Sequence, residues 1–244
     1  MLGAPISAAA LAFGVAVAAH AEATGPAREG PPPGVEPVLD LEAPAGHCRI
    51  DGSQARSPGH ATGFEPGLKS GMELLALYVP CGALEAARAG ALEWLPEWIA
   101  IEKNTVTYPS DDGRSLGTFG AVRQLCRDAR SAEFGHARNE TSEFAAVVAQ
   151  AHGRLSTKTP VVFLGVIGEE DHACFISSLR LEFSPSGSPQ RFLVVTAFMQ
   201  TADRWVIQSV RREMPVPPEA APQGAEDVLR TAKTAAKVFF DRNR

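Results

Sequence analysis

Glu169, Glu170, Asp171 and His172 are the densest run of potentially reactive side chains in the chain. Carboxylates bind hard cations, and a carboxylate beside an imidazole can act as a general acid and base. The run is therefore compatible with a small-molecule or metal-dependent hydrolase. However, consecutive strand residues project to opposite faces, so the four side chains cannot all converge. The simpler interpretation is a solvated hairpin tip that follows an apolar strand.

Cysteines form the second reactive set, and an even number in an oxidising compartment predicts two disulfides. They are Cys48, Cys81, Cys126 and Cys174, and neither a CxxC motif nor a zinc-like Cys/His spacing is present. Three pairings are possible, of which we favour Cys48–Cys81 with Cys126–Cys174. Four buried thiols are the alternative. A Cys–His nucleophile is a third hypothesis, because His172 and Cys174 are predicted to share a strand face, but a disulfide would remove it.

An aromatic patch is the third candidate, since Trp94 and Trp98 lie four residues apart beside Glu93 and Glu97. Tryptophan is a frequent anchor of protein interfaces, so the patch is a potential platform for a partner or ligand. The alternative is that one Trp fills the core and the other covers it. By contrast, we expect His136 and His152 to lie at the surface.

Familiar catalytic and nucleotide-binding motifs are absent from the sequence, including the P-loop, GxGxxG, GxSxG and HExxH. We therefore expect no catalytic, cofactor-binding or metal-binding residues.

The net charge is −5, and the basic residues form no stripe. Because phosphate affinity requires clustered cations, a nucleic-acid partner is not expected.

The N-terminus resembles an export signal. Leu2–Ala19 carries no charge and is followed by two small-x-small motifs, Ala19-His20-Ala21 and Ala21-Glu22-Ala23. These features predict a signal peptide over residues 1–23 and a periplasmic or secreted protein with no membrane span after cleavage. A retained anchor is the alternative, because the run approaches the ~20 residues of a span. The first basic residue is Arg28, which leaves open a true start upstream.

Composition divides the rest of the chain into two parts. Residues 24–37 are rich in Pro and Gly and predict an extended linker. Residues 38–244 have the length and apolar content of a single domain.

Hydrophobic periodicity predicts an α+β domain. Alternating or continuous apolar runs predict strands at 38–42, 73–81, 98–107, 161–167, 172–183, 191–200 and 205–212. Helical spacing predicts helices at 84–91, 116–126, 139–153 and 225–243. The last four strands are joined by short connections, so they should be antiparallel neighbours. Two of them are apolar on both faces, which predicts a mostly antiparallel sheet between helical layers, closed by the C-terminal helix.

Several local features resemble a family of exported bacterial proteins. They are the Pro44–Cys48 turn, the strand from Leu74 to Cys81 leading into Cys-Gly-Ala-Leu, the Gly165-Val-Ile-Gly-Glu strand, the closing meander, and a final helix ending at Asn243. Their order is similar to the Mog1/PsbP-like α/β/α sandwich. The chain departs from that pattern at His47, where an aromatic residue is expected, and in a longer, more helical segment over 113–156.

The resemblance implies an accessory or binding module whose partner is an envelope protein. The resulting hypothesis is an exported, non-enzymatic, disulfide-stabilised periplasmic module with an undetermined ligand and oligomeric state. The alternative is a periplasmic hydrolase that uses residues 169–172.

Overall fold

The computed structural model describes residues 38–50, 72–92, 94–104, 126–127, 141–184, 186–201, 204–214 and 221–243. The chain divides into two units, 1–37 and 38–244, and all the described residues belong to the second. The predicted signal peptide and linker lie outside them, as does the predicted helix at 116–126 apart from Cys126. Among the helices described, none is both long and apolar enough to span a membrane.

The described strands come in runs of two, one and four, and a helix follows each run. The strands are β1 (His47–Ile50), β2 (Met72–Pro80), β3 (Glu97–Asn104), β4 (Val161–Glu170), β5 (Ala173–Phe183), β6 (Pro189–Thr201) and β7 (Arg204–Glu213). The helices are α1 (Cys81–Arg88), α2 (Thr141–His152) and α3 (Ala221–Asn243).

The described strands form one seven-stranded antiparallel sheet in the order β1-β2-β3-β7-β6-β5-β4. Two meanders, β1 to β3 and β4 to β7, meet where β3 pairs with β7. This confirms the predicted antiparallel arrangement of the last four strands. The protein is therefore a mixed α+β fold in which the sheet dominates.

Helices α2 and α3 pack on one face of the sheet, which we call the helix face. The two helices contact each other, and α3 also contacts β6 and β7. Burying large apolar side chains there supplies the main driving force for folding. Its largest core side chains are Tyr78, Phe144, Phe175, Leu179, Leu193, Ile99, Ile167 and Met199. The opposite face carries a smaller cluster around α1, with Leu77, Val79, Leu84 and Trp98, and another around Cys126, Val166 and Cys174.

The predicted strand at 38–42 was wrong. These residues form no strand pairing, and the first strand is β1. Exposure still alternates along them, because Leu39 and Leu41 are half-buried while Asp40 is exposed. Their backbone groups bond to side chains of other elements, so the segment has strand-like alternation without a neighbouring strand.

The strand predicted over 73–81 would place Leu75, Leu77 and Val79 on one face if it were regular, but Leu75 does not share that face. The register of β2 against β3 shifts between Leu74 and Ala76. As a result, Leu75 packs on the helix-face core, whereas Leu77 and Val79 lie in the cluster around α1. Alternation fixes a face only while the strand stays regular, and a bulge reverses it.

Candidate functional site

The run from Glu169 to His172 is divided between the two faces of the sheet. Glu169 pairs with Cys174, and Glu170 pairs with Ala173, so the two carboxylates point to opposite faces. Glu170 faces α3, where one carboxylate oxygen lies 3.3 Å from Nζ of Lys233. The predicted divergence of the side chains is confirmed.

His172 also docks against α3. Its ring lies 5.2 Å from the ring of Phe240, and its Nε2 lies 3.6 Å from the second carboxylate oxygen of Glu170. Burial lowers the pKa of His172, and the nearby Glu170 carboxylate only partly opposes this. Within the described residues, no three His, Cys, Asp or Glu side chains are placed to hold a metal ion. Glu170 and His172 are therefore brought together beside α3, whereas Glu169 faces away from that helix.

All four cysteines are paired. Cys48 bonds to Cys81 and Cys126 bonds to Cys174, which confirms the favoured pairing. Cys174 lies on the face opposite α3, whereas His172 packs on α3, so the two residues do not share a face as predicted. With its sulfur in a disulfide, Cys174 supplies no nucleophile.

The aromatic patch surrounds a buried arginine. Arg211 is 1 % exposed, and its guanidinium carbon lies 3.3 Å from the centroid of Phe192, 5.2 Å from Trp94 and 5.7 Å from Trp98. Nη2 of Arg211 donates to Glu182 at 2.6 Å. Trp98 is buried and Trp94 half-buried. This arrangement matches the expectation that one Trp fills the core while the other covers it.

A row of interacting charged side chains lies on the helix face, centred on Glu97. Oε1 of Glu97 lies 3.2 Å from Nε2 of His47, and its Oε2 accepts a hydrogen bond from Nε of Arg212 at 2.5 Å. Nη2 of Arg212 then reaches Thr231 on α3. Burial raises the pKa of Glu97, but the bonds to His47 and Arg212 outweigh it, and the pKa is lowered overall. The row therefore joins β1, β3, β7 and α3.

His152 is 5 % exposed, so its predicted surface position was wrong. It occupies the last turn of α2, and burial lowers its pKa. A position near the end of a helix suggests exposure, but the end of α2 is packed against the protein, and this buries His152. His136 lies outside the described residues.

Residues 38–44, which we call the strap, cross the helix face beside the C-terminal half of α3. Oδ1 of Asn243 accepts a hydrogen bond from the backbone nitrogen of Asp40 at 2.6 Å, and its Nδ2 donates to the Asp40 carbonyl at 3.1 Å. The hydroxyl of Tyr78 donates to the Leu41 carbonyl at 2.6 Å. Burial raises the pKa of Tyr78, which keeps the phenol protonated as a donor.

A cavity of about 20 Å³ lies between the strap, the sheet and α3, and has room for about one water molecule. We call the surface beneath the strap the groove. Its sheet residues are Tyr78, Ile99, Ile101 and Gln208, and its helix residues are Ala235, Val238, Phe239 and Arg242, with Asn243 at the end.

Gln208 is the unusual residue of the groove. It is 1 % exposed, and among the described residues Nε2 finds no hydrogen-bond partner. A buried amide without a partner destabilises a fold by about 1–3 kcal/mol, so its presence in an apolar core requires an explanation. Its position in a cavity wall means that a molecule entering the groove can supply the missing acceptor.

The chain matches no protein-family model, no curated protein and no solved structure.

Neither the groove nor the burial of Gln208 is predicted from the sequence. The sequence does contain one indication of Gln208. Alternation places it on the same strand face as Val206 and Val210, which is otherwise apolar. A polar residue on such a face is either exposed at the edge of the sheet or buried where a polar group is needed. The strap was misassigned as a strand, so no groove could be placed beneath it.

Proposed function

We propose that this protein is an exported, disulfide-stabilised, non-enzymatic module that binds a protein partner in the cell envelope. One observation carries the proposal: the groove holds an extended segment through backbone hydrogen bonds, and the buried Nε2 of Gln208 at its floor has no hydrogen-bond partner among the described residues. Those are features of recognition.

The charged residues support the same interpretation. Glu170 holds Lys233 of α3, and Glu97 holds both His47 and Arg212. Each of these carboxylates is used to attach one element to another. The two disulfides support folding in an oxidising compartment, in agreement with the predicted signal peptide.

The Mog1/PsbP-like sandwich is part of this proposal. It is supported by the antiparallel sheet, by core clusters on both of its faces and by the long closing helix α3. Function does not follow from that likeness alone, because one fold serves many functions.

Affinity purification tests the proposal. The tagged full chain, expressed in its host and mildly crosslinked, should recover one envelope protein reproducibly. The matched control lacks residues 1–23 and should not recover it, because it does not reach the envelope. Recovery of the tagged chain alone would contradict the proposal.

A second variant distinguishes the alternative, a hydrolase, from the proposed binding module. Asp171→Ala combined with His172→Ala leaves the groove intact, so partner recovery should be unchanged. If the double variant instead loses a measurable hydrolytic activity or bound metal while its melting temperature is preserved, the non-enzymatic interpretation fails.

A further inference from the structure

The strap is held mainly through its backbone. Asn243 brackets both the nitrogen and the carbonyl of Asp40, and Tyr78 bonds the carbonyl of Leu41. Every residue except proline presents the same backbone groups. These three contacts therefore accept any extended segment that enters in the same register.

Asn243 is itself firmly positioned. Its Nδ2 also donates to the Phe239 carbonyl at 2.8 Å, and its own carbonyl accepts a hydrogen bond from Oγ1 of Thr201. The end of α3 is thus fixed to β6, and the bracket is preorganised. Preorganised groups lose little entropy when a ligand binds.

Side chains of the strap add a simple pattern. Leu39 and Leu41 are half-buried against the core, whereas Val38 and Asp40 are exposed and Asp40 also lines the edge of the cavity. Glu42 then places a carboxylate oxygen 2.9 Å from Nη2 of Arg242. The groove thus accommodates two apolar side chains two residues apart, followed by an acid.

The strap fills this groove incompletely. The cavity beneath it includes the amide of Gln208 in its wall, and Val238 at the cavity wall remains 40 % exposed. A segment with a larger side chain and a suitable acceptor can fill this space better. The strap is therefore a displaceable occupant.

We propose that the groove recognises an extended segment of the partner protein with the pattern apolar-x-apolar-acid, and that the strap occupies the same groove when no partner is bound. The proposal rests on the proposed function, since it assigns the site and the chemistry of the partner. Recognition of an extended chain by backbone bonds and alternate side-chain contacts is an established binding mode.

The test uses a fluorescent peptide with the strap sequence, Val-Leu-Asp-Leu-Glu-Ala-Pro, and the full chain. In the native chain the tethered strap competes at an effective concentration of about a millimolar, so peptide binding should be weak. A Leu39→Ala, Leu41→Ala variant loosens the strap but leaves the groove unchanged. We expect it to bind the peptide at least about ten-fold more tightly than the native chain, by fluorescence anisotropy.

Three controls define the site. Val38→Ala changes a strap residue that is 97 % exposed and should leave peptide affinity at the native value. In the loosened variant, Tyr78→Phe should weaken binding about five-fold, because one hydrogen bond is lost. A peptide in which the leucines exchange places with Asp and Glu should not bind, because its apolar side chains would face solvent.

The loosened variant must first be shown to be folded, by cooperative unfolding and by the absence of reactive thiols. If the double variant fails this check, the single variant Leu41→Ala is used in its place. Failure of the peptide to bind, or equal binding of the rearranged peptide, overturns the groove assignment. A concentration-dependent dimer that disappears on loosening the strap identifies a second copy as the occupant and also overturns it. If the peptide fails while the native chain still recovers an envelope partner, the proposed function stands without this site.

Discussion

His47 and His172 are two partly buried histidines whose environments have opposite effects. Both ring nitrogens of His47 face acceptors, Oε1 of Glu97 and the carbonyl of Ala45, each at 3.2 Å. Only the protonated ring can donate to both. The bond to Glu97 therefore raises the pKa of His47, although burial and Arg212 act against it. His172 has a lowered pKa because burial disfavours its charge.

Stability should consequently depend on pH with opposite signs at the two sites. A raised pKa means that His47 contributes stability below its ordinary pKa of about 6.5, and that the contribution is lost as the pH rises through the raised value. We expect His47→Gln to lower the free energy of unfolding by about 1 kcal/mol near pH 5.5 and by little near pH 8.5.

His172→Gln is the matched control for the sign. Because the folded protein favours neutral His172, the native chain loses stability as the pH falls through about 6.5, and the variant avoids this loss. Urea unfolding of both variants across this range measures the effect. Parallel pH curves for the two variants would contradict the assigned environments.

At the scale of single elements, β4 is a strand at the edge of the sheet with a strained position. Its register against β5 shifts twice, and Gly165 between the shifts has a φ of 90°. Other residues rarely adopt this conformation. We expect Gly165→Ala to lower the free energy of unfolding by about 1 kcal/mol or more.

Gly82 in α1 provides the comparison. A Cβ there would meet nothing within 4 Å, and its φ lies outside the left-handed region. Gly82→Ala should therefore stabilise the protein by about 0.5 kcal/mol, since alanine has less freedom in the unfolded chain. Urea midpoints measured under one condition test both variants. Shifts of the same sign would mean that backbone conformation does not decide the effect.

Most elements could be predicted from the sequence because their signals are local. The strands from Val161 to Glu213 alternate or are continuously apolar, and short turns fix their antiparallel order. The strap could not be assigned, because alternation does not reveal whether a neighbouring strand exists. Its partners, Tyr78 and Asn243, lie 37 and 203 residues away from the residues they bond.

The buried polar residues were harder still to predict. Arg211 lies between Val210 and Arg212 and has the appearance of a solvated strand residue, yet Phe192 and Trp94 enclose it. Its burial depends on segments separated by more than 100 residues, since Nη1 of Arg211 approaches the carbonyl of Leu95. The cysteine pairing was predictable in part because an even number limits the alternatives.

At the scale of the whole molecule, the two disulfides make the stability of the fold depend on an oxidising compartment. They close sequence separations of 33 and 48 residues. In the chain-entropy view each contributes about 3–4 kcal/mol, mainly by restricting the unfolded chain. Because domains are only marginally stable, the reduced protein should be substantially unfolded on warming.

Expression with and without residues 1–23 tests this connection. The full sequence in a bacterial host should yield a mature chain beginning at Thr24, with no titratable thiols, as measured by intact mass and thiol assay. The chain lacking residues 1–23 should remain in the reducing cytoplasm with four thiols and a lower melting temperature.

Two double variants of the exported protein separate the contributions of the two disulfides: Cys48→Ala with Cys81→Ala, and Cys126→Ala with Cys174→Ala. Four reactive thiols in that exported protein would mean that the sulfurs do not stabilise the fold and that its stability does not depend on export.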